Sequence, residues 1–188
     1  TADYPTLAFD KNAVYIGTNN FSAPATGGGR TFQGTTLNVI PINSLFNSSG
    51  PSVNGMTQFN NPCNAGGCVD AGFAIQGVMS SSNSPNGTAV AASLFVADNV
   101  AYSINNAGQP GASMGPVNYT NAAAFNSPTA AHQPSVAIPA NQAIVDALDE
   151  RISSTVYEVK GRIYYLTTVK EPGAQYDSVR YYVLDKAT

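Results

Sequence analysis

Apolar and polar residues alternate along short stretches of this chain, the period expected of strands with one covered face. Three segments share one pattern around a tight turn. In the first, residues 6–10 precede Lys11-Asn12 and residues 13–18 follow. In the second, residues 93–97 precede Asp98-Asn99 and residues 100–105 follow. In the third, residues 155–159 precede Lys160-Gly161 and residues 162–167 follow. Each second run carries a tyrosine at its third position: Tyr15, Tyr102 and Tyr164. All three turn pairs tolerate the positive φ that a primed hairpin turn demands. Together they predict an internal repeat with turns at 11, 98 and 160.

Further strands surround these hairpins. Residues 35–42 read as a strand ending at an edge, because Pro41 has no N–H for a ladder. Residues 72–79 and 115–119 are shorter candidates, and 178–185 closes the third unit. Loops rich in Gly, Pro, Asn and Ser fill 22–34, 47–71 and 104–141. One stretch, 142–152, admits a helix: Ile144, Leu148 and Ile152 recur every four residues, with Asp146, Asp149 and Glu150 off that stripe. Its shortness makes a single helical turn or a loop an equal reading.

The fold expected is all-β, built of antiparallel sheets as about three propeller-like blades over residues 1–188, either one domain or a section of a larger β-propeller. Three blades are too few to close a ring. The array is expected to pair with another copy or with the rest of a longer polypeptide. A β-sandwich with long loops is the alternative.

Composition narrows the setting. Lys, Arg, Asp and Glu make 10% of the 188 residues, against a usual share of about 25%. The net charge of −3 leaves no basic surface for a nucleic-acid backbone. Residues 1–145 carry only Asp3, Asp10, Lys11, Arg30, Asp70 and Asp98. That surface is weakly hydrated or packs on something else. No apolar run is long enough for a transmembrane helix. No charged-then-apolar leader opens the chain, so any signal peptide is expected to lie outside this sequence. Uncharged polar residues in this proportion suit an extracellular or cell-surface protein.

Cys63 and Cys68 flank a short loop containing two glycines, which can bring their Cα atoms within bridging range. Metal binding would need further Cys or His, and His132 is the sole histidine, so a disulfide is the expectation. Sequons at Asn20, Asn47, Asn86 and Asn118 are candidate glycosylation sites, expected on exposed loops.

Candidate chemistry is sparse. Asp146, Asp149 and Glu150 form the densest carboxylate group, beside Arg151. Paired carboxylates serve glycoside hydrolysis, and with nearby carbonyls they serve Ca²⁺ binding. The plainer reading is a local ion pair with Arg151 in a surface loop. Ser113 lies in Gly111-Ala-Ser-Met-Gly115, but the flanks lack the strand-turn-helix of a nucleophile elbow. Gly27-Gly-Gly29-Arg30 lacks the Lys-Ser/Thr of a phosphate loop. Exposed tyrosines can stack on glycans or anchor a partner. In Tyr164-Tyr165 and Tyr181-Tyr182, alternation sends one ring to each face, so one of each pair is expected in the core.

Residues 3–21 resemble a blade opening in secreted bacterial sialidase-like β-propeller proteins. Residues 146–152, 156–165 and 178–185 resemble a later blade of the same proteins. The resemblance implies a propeller architecture and an extracellular setting. The aspartate box of true sialidases is absent, there is no Trp, and the four arginines assign no three-arginine clamp. No catalytic residue and no cofactor follow from it. The function expected is a non-catalytic extracellular structural or binding module. A carbohydrate-active hydrolase using the 146–151 cluster is the alternative.

Overall fold

The computed structural model describes residues 1–23, 28–61, 73–92, 100–117, 131–132, 144–145, 151–152, 155–169 and 178–186. The chain is all-β. Its strands are β1 (Ala2–Phe9), β2 (Ala13–Phe21), β3 (Phe32–Pro41), β4 (Thr57–Asn60), β5 (Phe73–Ser80), β6 (Gly87–Ala92), β7 (Val100–Asn105), β8 (Ser113–Val117), β9 (Ala131–His132), β10 (Ile144–Val145), β11 (Val156–Val159), β12 (Arg162–Val169) and β13 (Ser178–Asp185). One short helix, α1 (Ile42–Leu45), follows β3. No helix among the described residues is long and apolar enough to cross a membrane.

The strands form three antiparallel meanders. The first is a sheet in the order β1-β2-β3-β4. The second, β5-β6-β7-β8, and the third, β11-β12-β13, join edge to edge through a parallel β5–β11 pair into a seven-stranded sheet. β9 and β10 pair separately.

Face-to-face packing of the first meander on the second makes the main core. Ala13, Tyr15, Leu37 and Val39 meet Ile75, Ala89, Tyr102 and Ile104, all buried. The sheets approach closely because glycines face the contact. A methyl at Gly17 would overlap the Ile75 carbonyl, and one at Gly77 would overlap the Tyr15 side chain. Thr6 adds a hydrogen bond across the gap, its Oγ1 donating to the Ile75 carbonyl at 2.7 Å. Covered on both faces, β5 has a continuous buried run, residues 74–78, instead of an alternating one.

A second cluster lies on the other face of the seven-stranded sheet. Val78, Val90 and Ala101 join Ile152, Val156, Ile163 and Leu184. Tyr165 and Tyr182, opposite each other in the β12–β13 register, stack with centroids 4.9 Å apart.

Several expectations meet their counterparts here. β13 spans residues 178–185, and the Lys160-Gly161 turn has φ of +51° and +78°, the primed geometry, with Val159 opposite Arg162. Pro41 ends β3 beyond Val39, where β4 stops, so its missing N–H disrupts no ladder on that side. Tyr165 and Tyr182 are buried, and Tyr164 and Tyr181 exposed, as alternation requires.

Other expectations need correction. Lys11 and Asn12 keep negative φ. Their turn is held instead by Asp10, whose Oδ1 accepts the N–H groups of Asn12 and Ala13 at 2.7 and 2.9 Å. A local side-chain bond replaces the primed geometry. In the second unit Val100 of β7 lies opposite Ala91 of β6, and the expected turn at Asp98-Asn99 lies outside the described residues. β4 and β6 arise in stretches not read as strands. The three-fold register also breaks: β2 and β12 are second strands of their meanders, whereas β7 is a third strand. The helix reading of 142–152 fails where the chain is described. Ile144 and Val145 are extended against Ala131 and His132, and Ile152 bridges to Thr167. Cross-strand pairing outweighs a four-residue apolar spacing too short to nucleate a helix.

Candidate interaction surface

The candidate chemistry does not assemble into a reactive site among the described residues. Asp146, Asp149 and Glu150 lie outside them, as do Cys63, Cys68 and Asn118. Arg151 is described: its guanidinium lies over the rings of Tyr4 and Phe73, 4.6 and 4.9 Å from their centroids. It thereby ties the start of β1 to the start of β5. Ser113 opens the extended edge strand β8 opposite Asn105 and is exposed, which is not the elbow a nucleophile requires. His132 lies in β9 opposite Ile144. Gly29 has open space around it and Arg30 is exposed, while Gly27 lies outside the described residues. Among the sequons, Asn47 and Asn86 are exposed outside strands. Asn20 instead lies within β2, half-buried, and its amide donates to Thr36 Oγ1 at 2.7 Å.

The fold does create an exposed apolar face on the third meander. The β11–β12–β13 register sets Tyr157 beside Tyr164, Tyr164 beside Val183, Leu166 beside Tyr181 and Thr168 beside Val179. Strand alternation sends this set away from the buried cluster. Tyr181 is 73% exposed and Val179 72%, with Val159, Tyr157, Val183 and Tyr164 between 53% and 37%. A groove of about 360 Å³ is lined by Tyr157, Tyr164, Leu166 and Tyr181 together with Thr155, Tyr165 and Tyr182. The charges at its rim pair with each other, Arg162 Nε lying 3.7 Å from Asp185 Oδ2. β12 and β13 are therefore apolar on both faces, while only one face is buried.

The outer face of the first meander shows a smaller version. Leu7 and Phe9 of β1 point away from the main core, 66% and 52% exposed, opposite Ile16 and Val14 of β2.

Tyr15 and Tyr164 explain the difference between covered and bare. Both are third after their hairpin turn, on the second strand of a meander. Tyr15 is fully buried because β5 and β6 lie over it, with Gly77 and Gly87 against its ring. Over Tyr164 no strand lies among the described residues. The sequence carried a signal for this face: residues 163–166 and 181–184 are apolar at odd and even positions alike. Such a run predicts burial on both sides. Comparison of the chain with family models, with curated proteins and with solved structures finds no match.

Proposed function

We propose that this protein is a non-catalytic extracellular module that builds structure by stacking β-meanders face to face, in the manner of propeller blades. The observation that carries the reading is the exposed face of β11–β13. Its apolar area is on the order of 600 Å², at the upper end of patches on ordinary monomers, where they serve association. The low charge of the chain and the paired charges at the rim of the face support the same reading. Glycosylation at Asn47 and Asn86, a Cys63–Cys68 disulfide and a cell-surface location belong to this proposal as its extracellular part.

The test compares the wild-type chain with a Tyr157→Ser, Tyr164→Ser, Tyr181→Ser variant, using binding of a dye that fluoresces on apolar surfaces. An association face predicts that the chain either self-associates or binds the dye, and that the variant loses both while keeping its β-sheet circular dichroism. A wild-type chain that is monomeric and dark to the dye would sink the reading.

A further inference from the structure

We infer that the turn at Asn54-Gly55 is a site of self-modification, where the asparagine side chain converts to an acid without an enzyme, solvent water being the only co-reactant. The chain holds two Asn-Gly pairs, Asn54-Gly55 and Asn86-Gly87. An asparagine followed by glycine is the pairing most open to this chemistry, because no Cβ shields the glycine nitrogen and its backbone rotates freely. The fold treats the two pairs in opposite ways.

Asn54 and Gly55 lie in the connection between α1 and β4, and both are exposed. One bond closes their turn, from the Met56 N–H to the Val53 carbonyl at 3.0 Å. The Asn54 N–H donates to Ser52 Oγ at 3.4 Å. Neither the Asn54 side-chain amide nor the Gly55 N–H has a hydrogen-bond partner among the described residues. The two reacting groups are thus free to turn toward each other. Asn47, also exposed, is held: its amide donates to the Ser44 carbonyl at 2.7 Å and its Oδ1 accepts the Ser49 N–H at 2.9 Å. Asn86 is held as well, its Oδ1 accepting the Asn106 N–H at 3.1 Å. Gly87 is buried in β6 opposite Ile104, so close to Tyr15 that a methyl on it would overlap the tyrosine hydroxyl. Reaction at Asn86 requires β6 to open first.

In the step proposed, solvent hydroxide takes the Gly55 amide proton and the nitrogen attacks Asn54 Cγ. The new N–C bond closes a cyclic imide. The Cγ–Nδ2 bond breaks, and the departing nitrogen regains a proton from water and leaves as ammonia. A second water opens the ring at either carbonyl, giving aspartate, or isoaspartate with the main chain routed through the former side chain. Nothing is oxidised or reduced. Each event adds one negative charge to a chain of net charge −3. The isoaspartate product also lengthens the backbone inside the turn that leads into the edge strand β4.

The test follows both pairs in the intact folded chain, made without glycans and held in mildly alkaline buffer. Peptide mass mapping, with chromatographic separation of aspartate from isoaspartate, reads each site. Asn54 should convert within about threefold of its rate in a short peptide of the same sequence, and Asn86 at least ~10-fold more slowly than in its own peptide. The Asn54 rate should rise with pH, because the Gly55 nitrogen must lose its proton. Asn54→Gln should remove the acidic product at this turn and leave the β-sheet circular dichroism unchanged. In urea both pairs should react at their peptide rates, which shows that the fold protects Asn86. An Asn54 as protected as Asn86 in the folded chain would overturn the inference. So would aspartate without isoaspartate, which marks direct hydrolysis with no imide. An Asn86 that stays slow in urea would overturn the contrast between the two sites.

Discussion

Asp10 and Tyr15 show how one buried polar pair organises the first hairpin. The Tyr15 hydroxyl donates to Asp10 Oδ2 at 2.6 Å, while Asp10 Oδ1 holds the turn. Burial, then the hydrogen bond to Asp10 and then its negative charge push the tyrosine hydroxyl far above its ordinary range. The folded chain thus binds this proton more tightly than the unfolded chain, whose tyrosine titrates near pH ~10. The resulting stability is fully present below about pH 10 and is lost as pH rises beyond it. Tyr15→Phe should cost about 1–3 kcal/mol at neutral pH by leaving Asp10 with a vacant buried acceptor. It should also flatten the alkaline decline in stability, and urea unfolding at several pH values measures both. An alkaline decline as steep as in the wild type would refute the assignment. Nothing in the sequence singled out Asp10 for this role. The pairing depends on β2 turning back over β1 and on the second meander excluding water.

The hairpins place the next predictions at the level of the element. Lys160 and Gly161 both sit in the left-handed region, where a Cβ is strained. Gly161→Ala should destabilise by about 1 kcal/mol. Asn12→Gly should bring no gain, because Asn12 already has negative φ and the added freedom favours the unfolded chain. A gain in the second variant would contradict the turn described for Asp10. Gly17 tests the spacing of the sheets: its neighbour is the backbone carbonyl of Ile75, which cannot move aside as a side chain can. Gly17→Ala should cost about 2–3 kcal/mol in chemical unfolding, and a neutral result would mean that the first two meanders sit further apart. At this scale β1, β2, β7, β12 and β13 were legible from alternation and turns. β6 was not. Its run, residues 87–92, is short and half alanine, and it becomes a strand because β5 and β7 flank it.

Across the whole molecule, β5 is the hub. It pairs with β6 on one side and β11 on the other, and it is covered on both faces. Its amides should exchange with solvent more slowly than those of the edge strand β13, measured residue by residue under native conditions. The sequence by itself determined the β class, the splitting of each tyrosine pair across a sheet, and the primed turn at Lys160-Gly161. These follow from side-chain alternation and from local backbone preferences, which act within a few residues. Only the tertiary structure decided that β5 runs parallel to β11, that Val100 faces Ala91, and that Tyr15 is covered while Tyr164 is bare. Those outcomes join residues far apart in the chain. An apolar run states that its sides will seek cover, but which side finds it depends on the neighbours that packing brings.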